Sequence, residues 1–164
     1  MVIRERTPID DRAIRHLNDT AFGGTDESKL IEALRTAGLV AVELVAADPL
    51  VDGHILFSAL DVTVDSKPVR ALALAPMAVQ PHRQRQGIGS ALMRAGLERA
   101  RGVGWQAVIV LGHQHYYPRF GFSAALTQPL EAPFSGASFM ALELEPGALQ
   151  GGTGRVVYPT AFGT

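Results

Sequence analysis

The chain has 164 residues, with 15 Lys and Arg against 16 Asp and Glu for a formal charge of −1, so no global basic field draws it to nucleic acid or to an anionic membrane. Cysteine is absent, which excludes disulfides, thiolate metal sites and a cysteine nucleophile and fits a reducing cytoplasm. At 47% hydrophobic and 19% charged residues the length suits one globular domain over 1–164. Met1–Arg12 lacks the apolar stretch of a secretory signal and no apolar run reaches the ~20 residues that span a bilayer, so the expectation is a cytoplasmic protein with no membrane partner.

In chain order, Val2–Thr7 alternates apolar and polar residues as a short strand does, and Pro8 with Asp10 and Asp11 marks a helix start. Ala13, Ile14, Leu17 and Ala21 share a helix face that ends at Phe22-Gly23-Gly24. Thr25 stands as N-cap of a second helix, with Leu30, Ile31 and Leu34 on its apolar side and Gly38 as its stop. Leu39–Ala47, His54–Val64 and Val69–Val79 read as an antiparallel meander, broken by turns at Asp48–Gly53 and Asp65–Pro68. A helix with Ile88, Ala91, Leu92, Ala95 and Ala100 on one side then ends at Gly102 and Gly104. Trp105–Leu111 reads as a buried strand, Gln114–Phe120 as a brief helix, and Gly121–Leu126 and Phe139–Leu144 as closing strands. The glycine-rich tail from Pro146 to Pro159 reads as a loop and an added strand in preference to a wall of an acceptor pocket. The order β-αα-βββ-α-β-α-ββ is that of a mixed α/β or α+β domain.

The stretch from Met77 to Ser90 passes from a strand directly into an amphipathic helix. Free backbone N–H groups and the helix dipole favour an anion at such a junction. Gly87 and Gly89 let a phosphate approach the backbone, and Arg83 and Arg85 add charge nearby. The alternative is a tight turn with a solvated basic edge. A dinucleotide fingerprint is weakened because Leu92 stands where its third glycine belongs, and so is a triphosphate loop because no Gly-Lys-Ser/Thr is present. Pro76 interrupts an apolar strand and cannot donate to a ladder, which predicts a bulge or splay there.

Gln84-Arg85-Gln86-Gly87-Ile88-Gly89 resembles the Gln/Arg-x-x-Gly-x-Gly/Ala signature of the GNAT superfamily of N-acetyltransferases. Tyr116-Tyr117-Pro118-Arg119-Phe120-Gly121-Phe122 is similar to the family's Tyr-x-x-x-Gly-Phe segment, and Gly53–Ser58 resembles its small bacterial-type branch. The resemblance implies a central mixed, mostly antiparallel sheet of about seven strands flanked by about four helices. It implies acetyl-coenzyme A as co-substrate, with Gln84, Arg85, Gln86, Gly87, Ile88, Gly89 and Ser90 around the pyrophosphate and Met77, Ala78 and Val79 along the pantetheine arm. It further implies a primary amine acceptor, small or on a peptide or protein, and leaves a homodimer open. Without a cysteine nucleophile, direct attack in a ternary complex is favoured. A non-catalytic acyl-coenzyme A sensing module is the alternative.

Transfer needs a proton for the departing thiolate. The resemblance gives that role to Tyr117, four residues before Gly121, and a phenol of pKa ~10 is a neutral donor at pH 7. No base is singled out. Ala71–Val79 contains no acidic residue, and Glu43, Asp61 and His54 on neighbouring strands are the candidates. His113 and His115 form a His-x-His pair without a third ligand, so no metal is expected; His113 stands where the family often has Asn or Asp.

Overall fold

Alternation, prolines and caps set the elements in turn. In the computed structural model, which describes residues 1–163, β1 (Val2–Glu5) leads through a 3-10 turn at Pro8–Asp10 into α1 (Asp11–Phe22), followed by α2 (Asp26–Thr36), β2 (Val40–Ala47), β3 (Val51–Val64) and β4 (Lys67–Val79). A loop then enters α3 (Ile88–Gly102), followed by β5 (Ala107–Leu111), β6 (Leu130–Glu131), β7 (Phe139–Glu143) and β8 (Gly154–Val157). The Asp10 carboxylate fixes the start of α1: it accepts the Thr7 N–H at 2.8 Å and both ends of the Arg4 fork at 2.8 and 2.9 Å. Thr25 occupies the N-cap position of α2, yet its hydroxyl makes no cap bond; its carbonyl accepts Lys29 N–H at 3.0 Å.

Among the described residues there are eight strands, mostly antiparallel in pairing, and three α-helices. The expected fourth helix is a single 3-10 turn, Tyr117–Phe120. The expected strand at Gly121–Leu126 is corrected. Only Ser123 bridges to Ala141 there, and its hydroxyl then accepts Ala125 N–H and starts a 3-10 turn at Ala124–Leu126. Strand β6 was not foreseen, because two residues are too few to show a period.

The chain divides into two compact units. Unit one comprises Met1–Ser58 and Ala75–Arg99. There β2 pairs antiparallel with β1 (Ile3↔Ala46) and with β3 (Glu43↔Leu56, Val45↔His54). Strand alternation sends neighbouring residues of β3 to opposite faces. His54 meets Asn18 of α1, while Gly53 and Phe57 meet α3. A Cβ on Gly53 would stand 2.8 Å from Ile88 and Leu92, and one on Gly96 would stand 2.3 Å from the Phe57 ring. These two glycines let helix and strand approach closely.

Unit two comprises Ala59–Leu74 and Ala100–Thr164. The second half of β3 pairs with β8 (Asp61↔Val157, Val64↔Gly154), and β8 pairs in parallel with β6. The first half of β4 runs parallel to β5 from Ala71↔Ala107 to Ala73↔Ile109, and β5 pairs antiparallel with β7 as far as Leu111↔Phe139. The β4–β5 ladder therefore ends before Pro76, whose peptide bond to Ala75 is cis. Val62, Ala73, Ile109, Phe139, Ala141 and Val156 form the core of this unit. The Asp65 carboxylate accepts N–H groups of Gly152 and Thr153 at 2.9–3.3 Å and ties the glycine-rich tail to the β3–β4 turn. The tail's β-like end is the added strand β8.

Candidate functional site

In unit one, β4 delivers Met77, Ala78 and Val79 into the loop that opens α3. Ala78 and Ile88 are buried and anchor its two ends, while Met77 and Val79 stay half-buried. Side chains hold the loop from outside. Gln84 donates to the Val79 carbonyl at 3.1 Å, Gln86 donates to the His82 carbonyl at 3.3 Å, and Arg83 donates to Gln86 at 3.2 Å. Arg83 also pairs with Asp52 at 3.0 Å, and the Asp52 carbonyl accepts Gln80 N–H at 2.8 Å. Arg83, expected to add charge near an anion, is thus ion-paired with Asp52 and ties the loop to β3.

Arg85 and Gly87 adopt left-handed backbone conformations at φ +63° and +85°. Successive N–H groups turned by such residues form a concave anion receptor, and helix geometry gives the first-turn N–H groups no intrahelical acceptor. Ala91 N–H donates to the Gly87 carbonyl at 3.0 Å. The space beside Gly87 is open, with no atom within 4 Å of where its Cβ would stand, so a ligand atom meets backbone there and not a side chain. Arg85 is exposed at the rim. Gln84, Arg85, Gln86, Gly87, Ile88, Gly89 and Ser90 accordingly form one short run at the helix start, directly after Met77–Val79.

In unit two, Gly112 follows β5 and its N–H bonds the Ser138 carbonyl at 3.0 Å. The His113 carbonyl accepts the N–H groups of Tyr116 and Tyr117 at 3.1 and 3.3 Å and folds the chain into the short turn. Tyr117 is buried, with its ring edge-on to Tyr116 and Phe122 at centroid separations of 5.3 and 5.7 Å. Gly112 makes room for it, since a Cβ there would lie 2.7 Å from Tyr117 Cε2. Burial, assisted by Tyr116, pushes the Tyr117 hydroxyl up to about 12, so it is a proton donor throughout the physiological range. Tyr116 is half-buried under Arg119, and His113 and His115 are exposed.

The candidate bases fare differently. Asp61 is exposed. Glu43 and His54 belong to a buried network of unit one: His54 Nε2 lies 2.8 Å from Glu43, His54 Nδ1 lies 3.3 Å from Asn18 Nδ2, and Arg35 donates to Glu43 at 2.6 and 3.3 Å. Asn18 also donates to the Ile14 carbonyl at 2.9 Å, so its second N–H faces Nδ1 and leaves the proton of a neutral His54 on Nε2. Burial lowers the His54 pKa, and the bonds from His54 and Arg35 outweigh burial to hold Glu43 below the usual carboxylate range. Strand carboxylates are usually exposed, and no spacing in the sequence signalled this network. Among the described residues no group of three His, Asp or Glu side chains is arranged to hold a metal, and no helix is long and apolar enough to cross a membrane.

Residues 29–124 match the acetyltransferase (GNAT) domain family. The chain is 34% identical over 166 aligned positions to the uncharacterized N-acetyltransferase YhbS of Escherichia coli K12, covering 99% of this chain and 98% of that one. The crystal structure of E. coli YhbS in complex with CoA superposes with a TM-score of 0.89 over 99% of this chain and 92% of that one. A GNAT family acetyltransferase from Brucella melitensis, solved with acetyl-CoA, superposes with a TM-score of 0.80 at 34% identity, over 98% of this chain and 97% of that one. Together with the glycine loop and the Tyr-x-x-x-Gly-Phe turn, these likenesses establish that the chain belongs to the GNAT family of N-acetyltransferases.

Proposed function

We propose that residues 1–164 act as one acetyltransferase domain that moves the acetyl group of acetyl-CoA directly to a primary amine in a ternary complex. The observation that carries this reading is the loop before α3, left-handed at Arg85 and Gly87, with open space beside Gly87 and with the Arg83 and Gln84 side chains bonded within it. The YhbS and Brucella structures with CoA and acetyl-CoA support the choice of ligand.

The coenzyme supplies a thioester, whose carbonyl carbon is the electrophile. The amides at the start of α3, from Arg85 to Ser90, hold its pyrophosphate, with Gln84 fixing the loop and Met77, Ala78 and Val79 lining its pantetheine arm. Tyr117 donates its phenolic proton to the sulfur as the C–S bond breaks and the C–N bond forms, and solvent restores that proton. The amine loses its own proton to water, because the buried Glu43–His54 pair is already engaged. With no cysteine in the chain, the usual acyl-enzyme nucleophile is missing and a ternary complex is the simpler course.

The test is thermal and calorimetric. Millimolar CoA is expected to raise the melting temperature, as a ligand that binds only the native state must, and acetyl-CoA with an amine panel is expected to release thiol. No shift and no heat of binding would remove the reading. Binding without thiol release on any amine would favour a sensing module.

A further inference from the structure

Unit two holds a surface cavity of about 560 Å³ around the segment that carries Tyr117. Arg119, His113, His115, Gln114 and Ser138 line it beside Gly112, Leu111 and Tyr116, and no carboxylate contributes. Arg119 carries a permanent charge, and among the described residues no carboxylate stands within ion-pair reach of it. Arg4, Arg6, Arg35, Arg83 and Arg99 each have such a partner. The Arg119 guanidinium carbon instead stands 5.4 Å from the centre of the Tyr116 ring. Stacking of this kind steadies the head and leaves its N–H fork for a planar anion. Gly112 is backed by the Tyr117 ring, which a Cβ would strike at 2.7 Å. The ring of the proposed proton donor thus packs against Gly112, a residue that lines the cavity.

We propose that this cavity anchors a carboxylate of the acetyl acceptor, taken by the Arg119 fork with the imidazoles of His113 and His115 donating beside it. This rests on the acetyltransferase reading above and names the acceptor class: a short amino carboxylate. An imidazole retains one N–H donor even when neutral, so both histidines serve this purpose in either state. A polyamine is disfavoured because it would bring a second cation to a cavity that holds Arg119 and no carboxylate.

The full chain is used for the test. The ring resonances of His113 and His115, assigned with His113→Gln and His115→Gln, are followed by NMR while N-acetyl-β-alanine or its neutral counterpart N-ethylacetamide is titrated. The carboxylate is expected to move both resonances to saturation and the neutral amide to leave them, with Arg119→Gln weakening the carboxylate about 10- to 100-fold, as loss of a charged hydrogen bond does. In acetyl transfer, kcat/KM for β-alanine should exceed that for ethylamine, and Arg119→Gln should collapse the ratio. An equal response to both titrants, or none, overturns the proposal. So does a shift caused by CoA that 3′-dephospho-CoA fails to produce, which would give the cavity to the coenzyme's phosphate while acetyl transfer stood. Failure of CoA to bind at all sinks the acetyltransferase reading and is measured independently of the imidazole shifts.

Discussion

Tyr117 and Tyr116 are adjacent and chemically identical, and burial separates them. Only Tyr117 is enclosed, against Gly112 and Phe122, with its hydroxyl pushed up to about 12. Tyr117→Phe keeps the ring's packing and removes the proton, so turnover should fall by ~10²–10⁴ with CoA affinity retained; Tyr116→Phe is the control. The raised pKa also fixes a sign. The donor stays protonated well above the usual phenol range, so kcat measured up to pH 10 should show no fall near the ordinary tyrosine value, and a fall there that Tyr117→Phe abolishes would refute the assignment. At the loop, Gly87→Asp places a Cβ at φ +85° and a negative charge in the proposed anion receptor. CoA binding by calorimetry should be lost while the melting transition persists. Arg83→Ala removes a side chain already ion-paired with Asp52, so its loss should be several-fold; equal losses in both variants would mean a simple basic patch.

The helix α3 owes its place to what its residues lack. Gly96 faces the Phe57 ring and a Cβ would stand 2.3 Å from it, so Gly96→Ala forces the ring to move at a cost of ~1–3 kcal/mol for overpacking, partly offset by the ~1 kcal/mol better helix propensity of alanine. The melting temperature should drop by a few degrees, and Phe57→Leu in the same chain should recover part of it, since residues in contact are not additive. A melting temperature unchanged by Gly96→Ala would show that the ring yields freely. This packing was invisible in the sequence, where Gly96 is only an irregularity within a run of helix formers. By contrast, the ends of α1, α2 and α3 were legible, because Gly23, Gly38 and Gly102 lie where helix periodicity stops. The loop that joins β4 to α3 was legible for the same reason: its glycine pair stands between a strand pattern and a helix pattern. Strand β6 and the turn at Ser123 were not, because pairing partners far along the chain decide them.

For the molecule as a whole, the features least readable from sequence are the ones that set its response to acid. Glu43, His54, Arg35 and Asn18 come from four separate elements, and only the fold brings them within hydrogen-bond distance. Glu43 and Asp10 are held below the usual carboxylate range, each by its arginine and further hydrogen bonds. Burial holds His54 below the ordinary histidine value. All three are depressed on folding, so the unfolded chain binds more protons as the medium turns acidic, and stability rises with pH across the window. The contribution is whole above the ordinary histidine value of ~6.5 and is lost in two stages, first as the unfolded chain gains the His54 proton and then through the carboxylate range near 4. The melting temperature should therefore be flat above about pH 7 and fall from about 6.5 downward. His54→Gln keeps an amide to face Glu43 but has no proton to gain, so its curve should start lower and stay level to about pH 5 before the carboxylate loss sets in. Parallel curves for the two proteins between pH 7 and 5 would show that His54 is not held neutral in the fold, and the assignment of its Nε2 proton to the Glu43 bond would fall with it.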